Sequence, residues 1–319
     1  MEREPFLDAV KHRILLFDGA MGTEIQKNNP QPEDFPDGND GFNDGLVITR
    51  PEWIRQIHRS YLDAGADCIE TNSFGSNKIK LDEYGFGDQT VELNRKIAAL
   101  AAGVCSEYSD KPRYVIGSMG PSGYLPSTND PDLGQKPIDE IRDAFELQAR
   151  GLILGGVDAL LIETSQDILE VKLAIEACHN AMDKTGRRVP IIANATLDQY
   201  GKMLLGTGVQ AAYTTVSGMG IDVFGLNCST GPVEMTPSVR WLDEQKGHGI
   251  LVVPNAGMPE NEGGQAVYRM RPEEMAETLG EFLDSYDMVR IIGGCCGTSP
   301  EHIRALRNAI DLRADSPKG

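Results

Sequence analysis

Basic residues are scarce in this 319-residue chain: 30 Lys+Arg stand against 48 Asp+Glu, a formal net charge of −18. A surface so acidic, with no basic cluster to relieve it, repels phosphate backbones and anionic lipid heads, which argues against nucleic-acid and membrane partners. No apolar run approaches the roughly 20 residues that span a bilayer. The opening Met1-Glu2-Arg3-Glu4-Pro5 is charged, and no apolar leader follows it. Cys-x-x-Cys knuckles and His-x-x-x-His pairs are both missing. The five histidines, His12, His58, His179, His248 and His302, fall in predicted helices or loops, so a histidine-ligated metal or a Ser-His-Asp triad has no support. The glycine-containing run Gly151–Gly156 lacks the Lys-Ser/Thr pair of a phosphate loop and reads as a helix end. Six cysteines without a secretory leader indicate reduced thiols and a cytoplasmic protein.

What is present is an alternation. Short runs, apolar on both faces, predict strands at Ile14–Phe17, Cys68–Thr71, Tyr114–Gly117, Ala159–Glu163, Ile191–Asn194, Val223–Asn227, Leu251–Pro254 and Val289–Gly293. Helical spacing fills the intervals, near 77–83, 88–108, 137–155, 166–184, 207–219, 234–246 and 272–286. Thr49 is a candidate cap for a helix opening at Pro51, and Thr298-Ser299-Pro300-Glu301 reads as a capping box for the final helix. Eight strands alternating with helices predict an α/β fold, a (βα)8 TIM barrel, as a single domain over 1–319 with its core at about 14–310. Three joints repeat one theme: Ala64-Gly65-Ala66-Asp67, Gly155-Gly156-Val157-Asp158 and Met219-Gly220-Ile221-Asp222. The joints after the first, third and seventh strands are long and would build up the C-terminal mouth, where active sites of such barrels sit. The terminal Arg313–Gly319 reads as tail or linker.

Three cysteines end predicted strands: Cys228 closes the sixth, and Cys295 and Cys296 close the eighth. Three thiolates on one rigid mouth suit Zn2+, with a fourth position left for an exchangeable ligand. The same spacing is compatible with core thiols or a redox pair. A three-thiolate zinc is a weak Lewis acid toward water, but it can hold an incoming thiol as thiolate. For a free thiol of pKa about 8.5 that recovers about 2 kcal/mol at neutral pH, which points to thiol alkylation. Asp18 with Gly19, Ala20, Met21, Gly22 and Thr23 follows the first strand, where glycine-rich amides can receive a carboxylate. Glu70, Thr71 and Asn72 end the second strand, Glu163 and Thr164 the fourth, and Asn255 the seventh. Each lone acid could bind an ammonium group or anchor its own loop.

Leu16-Phe17-Asp18-Gly19-Ala20-Met21-Gly22-Thr23-Glu24-Ile25-Gln26, Ala64 through Phe74, Phe224-Gly225-Leu226-Asn227-Cys228, Pro254-Asn255-Ala256-Gly257 and Gly293-Gly294-Cys295-Cys296-Gly297-Thr298 together resemble the homocysteine S-methyltransferase family. The resemblance is greatest to the homocysteine-binding domain of cobalamin-dependent methionine synthase. It implies a (βα)8 barrel in which Cys228, Cys295 and Cys296 ligate zinc, homocysteine sulfur is the fourth ligand, and Asn255 is associated with zinc when substrate is absent. It also implies that the Asp18–Thr23 loop, Asn72 and Glu163 surround the amino acid's polar end. The implied reaction is methyl transfer to homocysteine, giving methionine. Since the family's full-length enzymes carry further domains, the donor implied here is methylcobalamin or another methylcorrinoid on a separate protein. The alternatives are a donor such as S-methylmethionine, S-adenosylmethionine or a betaine, or a non-catalytic zinc- and homocysteine-binding module of a larger enzyme.

Overall fold

The computed structural model describes residues 3–263 and 265–314. Eight parallel strands form one sheet: β1 (Leu15–Leu16), β2 (Cys68–Glu70), β3 (Tyr114–Met119), β4 (Ala159–Ile162), β5 (Ile191–Ala195), β6 (Val223–Asn227), β7 (Gly249–Val253) and, after an antiparallel hairpin of β8 (Glu260–Glu262) and β9 (Gln265–Val267), β10 (Val289–Ile292). The order β1-β10-β7-β6-β5-β4-β3-β2 is closed by a parallel bridge between Phe17 and Cys68, so the sheet is a barrel. The predicted strands are all present: β6 matches, β2, β4 and β10 end a residue early, β1 is trimmed at both ends, β3 and β5 run on past their expected ends, and β7 is shifted toward its N-terminus. The hairpin β8–β9 was not foreseen; it stands in the long joint after β7.

Two apolar layers hold the barrel. Leu15, Cys68, Ile116, Leu161, Ile192 and Val223 fill its interior, and a larger cluster packs the outer strand faces against the helices. Cys68, Cys105 and Cys178 are buried in these layers, where desolvation raises their thiol pKa values; they are inert core residues. The N-terminal helix Phe6–His12 plugs the floor, with Phe6 edge-on to Tyr114 at 5.5 Å and the Tyr114 hydroxyl donating to the carbonyl of Glu4 at 3.0 Å.

The repeated joint does one repeated job at this floor. Asp67, Asp158 and Asp222 each accept the N–H of Leu16, Val115 or Ile191 in the preceding odd-numbered strand, at 2.9, 2.8 and 2.9 Å. Each returns its own N–H to the carbonyl of that same residue, at 2.7, 2.7 and 2.8 Å. Gly65, Gly156 and Gly220 supply the left-handed turns (φ 105°, 102° and 77°) that aim these aspartates.

Two predicted caps are corrected. Thr49 ends a short helix, Leu46–Thr49, and its hydroxyl donates to the carbonyl of Asp34; Arg50 is the cap residue of helix Pro51–Asp63. Before helix Pro300–Ala314 the reciprocal partner is His302, whose Nδ1 accepts the Ser299 N–H at 3.2 Å. Thr298 is drawn away toward the barrel mouth, because its hydroxyl donates to the carbonyl of Cys295 at 2.7 Å. Arg313 and Ala314, expected as tail, belong to that helix, and Arg313 pairs with Asp284 at 2.7 Å; the rest of the expected tail lies outside the described residues. Among the described residues no helix is long and apolar enough to cross a membrane.

Candidate active site at the barrel mouth

The three strand-end cysteines converge. The sulfurs of Cys228, Cys295 and Cys296 all lie within 4.8 Å of one another, and Cys228 and Cys296 are 3.8 Å apart. The backbone brings them there at a cost. Cys228 and Ser229 both sit in left-handed conformation (φ 58° and 63°), which for non-glycine residues costs of order 1–3 kcal/mol each. The turn is held by the Cys228 N–H donating to Val253 at 3.1 Å and by the Thr230 N–H donating back to Cys228 at 2.7 Å. On the other side, Cys295 donates to the carbonyl of Pro254 and Ala256 donates to that of Cys296, extending the β7–β10 pairing past the strands. Gly297 completes the turn at φ 78°, and a Cβ there would stand 2.4 Å from Tyr268. Tyr268, carried by the segment just after β9, packs against this turn, close enough to the Cys296 sulfur for each to influence the other's ionisation. Hydrogen bonds from Cys228 and Cys295 hold the Cys296 thiol well below its ordinary range. Its own hydrogen bonds with Cys228 and Cys296, joined by burial, push the Cys295 thiol up. Such a cluster gathers negative charge on sulfur and is of the kind that could hold a metal ion.

Three carboxyl groups line the same cavity as the sulfurs. Asp18, Glu70 and Glu163 share one cavity of about 260 Å3 with the cysteines and with Gly19, Ala20, Met21, Gly22, Thr23, Asn72, Ser118 and Thr164. Burial raises all three carboxyl pKa values, that of Glu163 to about 7, and for Glu70 the charges of Glu163 and Asp18 add to the effect. Partial relief comes from hydrogen bonds: Glu70 N–H donates to Asp18 Oδ2 at 3.0 Å, and the Ser118 hydroxyl donates to Glu163 Oε1. Asp18 Oδ1 is buried with no partner. No Lys, Arg or His is among the residues lining this cavity.

The first loop is locked to the cysteine turn. Ala20 N–H donates to the Thr298 hydroxyl at 3.2 Å, Tyr61 donates to the Ala20 carbonyl at 3.1 Å, and Gly297 N–H reaches the Thr23 hydroxyl at 3.4 Å. A side chain on Gly19 would meet Thr298 at 2.7 Å and Tyr61 at 2.9 Å, so only glycine fits. Asn72 lines the cavity, and its amide donates to the carbonyl of Asn43 at 2.8 Å, tying the second mouth loop to the first. Asn255 stands apart from the cavity lining. It is 1% exposed, its N–H donates to Thr230, and its Oδ1 is a buried acceptor without a partner. Sequence reasoning singled out neither Ser118, Asn227, Tyr268 nor the mouth role of Thr298. The one available signal was the adjacency of Asn227 to Cys228.

A closed parallel barrel with a thiol cluster at its mouth defines a class of (βα)8 protein whose site is made by strand ends and the loops that follow them. The family model for homocysteine S-methyltransferase matches residues 15–310, and the chain belongs to that family. It is 42% identical over 306 residues to methionine synthase of Mycobacterium tuberculosis, a match that covers 95% of this chain and 25% of the relative. The chain thus spans about a quarter of the length of that curated relative. Among solved structures, the oxidized form of the homocysteine methyltransferase MmuM from Escherichia coli superposes with a TM-score of 0.74 at 24% identity, covering 98% of each chain. Its metallated form superposes at 0.72 with 23% identity, covering 93% of this chain and 96% of that one. These likenesses extend the barrel fold over nearly the whole chain.

Proposed function

We propose that this barrel binds homocysteine and presents its sulfur for methylation, giving methionine, in the cytosol. One observation carries the reading: three thiols and three carboxyls line one cavity, and its lining holds no cationic side chain. Such a site is completed by two cations of different kinds. The sulfur set fits a soft, tetrahedral ion such as Zn2+, held by Cys228, Cys295 and Cys296, with the partnerless oxygen of Asn255 as a further candidate donor. When bound, zinc supplies a soft positive charge that keeps a substrate thiol ionised at a pH where a free thiol is only a few per cent thiolate. The carboxyl set suits an ammonium group. Glu163, oriented by Ser118, receives it, with Asp18 and Glu70 adding negative potential. The amides of Met21, Gly22 and Thr23, in the first turn of helix Met21–Gln26, meet the substrate carboxylate. An amino acid carrying both a thiol and an ammonium satisfies both sets.

In the reaction the substrate sulfur forms a bond to the methyl carbon, and the donor–carbon bond breaks with its electron pair left on the donor. The resemblance to cobalamin-dependent methionine synthase favours a methylcorrinoid held by a separate protein. The mouth suits a protein-sized donor, since Tyr200, Leu204, Val233 and Met258, all in or just after strand-to-helix joints, are apolar and exposed. The test is methionine formation by anaerobically purified, zinc-loaded protein given homocysteine and each donor separately. Turnover with methylcobalamin supports the corrinoid reading. Turnover only with a sulfonium or betaine replaces the donor and leaves the acceptor site standing. No turnover with any free donor, together with no binding of homocysteine, overturns the reading.

A further inference from the structure

One buried amide links a carboxyl of the cavity to the start of the cysteine turn. Asn227 is 1% exposed, closes β6 and immediately precedes Cys228. Its Oδ1 accepts the N–H of Thr164 at 3.0 Å and the hydroxyl of Thr196 at 3.2 Å. Its Nδ2 donates to the Thr164 hydroxyl at 2.8 Å and to Glu163 Oε2 at 3.3 Å. Reversing the amide would set an NH2 group against the Thr164 N–H, so this orientation is the one the network allows. β4 and β6 are not neighbours; β5 runs between them, and side chains from alternate strands meet across the barrel interior. Asn227 therefore spans three strand ends with four hydrogen bonds.

What it holds is unusual backbone. Thr164, the residue after Glu163, is left-handed at φ 59°, a conformation that β-branched residues avoid. Cys228, the residue after Asn227, is left-handed at φ 58°. The same side chain thus stands beside the turn that aims Cys228 and clamps the turn that aims Glu163. Ser118 supplies a donor to one oxygen of Glu163 and Asn227 a donor to the other.

We infer that Asn227 is a positioning residue that fixes the ammonium-binding carboxylate of Glu163 relative to the cysteine cluster, and so sets the preference for a thiol that carries an amino group. This rests on the reading above, in which Glu163 receives the substrate ammonium. A plain structural clamp would hold strand ends together without affecting which thiol is chosen.

The experiment compares homocysteine with its desamino analogue 4-mercaptobutyrate, by calorimetric binding to zinc-loaded protein and with zinc content measured in parallel. The wild type should favour homocysteine by about tenfold or more, the scale of a hydrogen-bonded charge. Asn227→Asp keeps both acceptor bonds and puts an oxygen where Nδ2 donates. The Thr164 hydroxyl can turn to donate to it, whereas the bond to Glu163 Oε2 is lost and replaced by like-charge repulsion. This variant should weaken homocysteine by about tenfold, leave 4-mercaptobutyrate within about twofold and retain zinc. Thr164→Val, which removes only the hydroxyl end of the clamp, should shift the preference the same way by a smaller factor. It also serves as the readout if Asn227→Asp does not fold. Equal weakening of both thiols, or unchanged preference in the folded variants, overturns the inference. A wild type that does not distinguish the two thiols, or a Glu163→Gln variant that keeps full preference, overturns the underlying assignment of Glu163 instead.

Discussion

At the floor of the barrel, Asp67 accepts a strand N–H at 2.9 Å and lies within 4.0 Å of three cations: Lys111 at 2.6 Å, Arg307 at 3.1 Å and Arg13 at 3.4 Å. At the mouth, Asp18 and Glu163 are buried and Glu70 partly so, and none has a cation beside it in the cavity lining. The side-chain chemistry is the same and the consequences are opposite. A carboxylate surrounded by donors and cations stabilises the fold. A desolvated one without a cation destabilises it, and the deficit is recovered when a cationic ligand arrives. The repeated floor turns use Gly65, Gly156 and Gly220, with Lys246 a left-handed non-glycine in another floor joint, whereas Thr164, Cys228 and Ser229 are left-handed at the strand ends that line or flank the cavity.

The comparison can be broken most severely at the sulfurs. Cys296→Ala is expected to lose zinc and at least a thousandfold in turnover together, since a two-thiolate site no longer closes around the metal. Metal analysis and methionine assay on the same preparation check this, and full activity with full zinc would remove the cluster from the mechanism. Next in size is the floor. Asp67→Ala strands the Leu16 N–H and three cations, and should cost about 3–5 kcal/mol in denaturant unfolding. Homocysteine affinity of the folded fraction should stay unchanged. A loss of binding without a loss of stability would erase the distinction between the two ends.

The pH profile sharpens the contrast. His58 is fully buried, both ring nitrogens lack partners, and burial lowers its pKa to about 3. Its folded value lies below the unfolded one of about 6.5. Its contribution is therefore fully present above pH 6.5 and is lost as pH falls toward 3, by about 1.4 kcal/mol per unit, so roughly 2 kcal/mol by pH 5. His58→Leu should flatten this part of the stability curve; an unchanged slope between pH 6.5 and 5 would show that the ring titrates normally. The raised pKa values of Asp18 and Glu70 act with the opposite sign, favouring the metal-free fold as pH falls and opposing it as pH rises through their folded values. The smallest effect expected follows from this: Glu70→Gln should raise the melting temperature of the metal-free protein at pH 7.5, by about 2–4 °C for each kcal/mol of relieved desolvation, while weakening homocysteine binding. A lower melting temperature would mean that the mouth acids are structural anchors like those of the floor.

How far the chain could be read ahead follows the same axis. Eight strands, the intervening helices and the joints ending in Asp67, Asp158 and Asp222 are local patterns, written within a few consecutive residues by apolar runs, glycine and aspartate. Cys228, Cys295 and Cys296 stood out because each ends a strand, and parallel strand ends share one face. Tertiary packing decided the rest. Thr298 reads locally as a cap, yet the carbonyl of Cys295 and the amide of Ala20, 278 residues away, compete for its hydroxyl and win. Asn227 reads as the last residue of an apolar strand, and its partners Glu163 and Thr164 lie 64 and 63 positions earlier. Tyr268 reaches Cys296 only because the loop after β7 folds into a hairpin that returns over the mouth. The sequence by itself determined the barrel and its thiol-bearing end, since periodicity and strand-end chemistry are local. The pairing of carboxyls against sulfurs, and the clamp between them, exist only once the barrel closes and brings alternate strands into one layer.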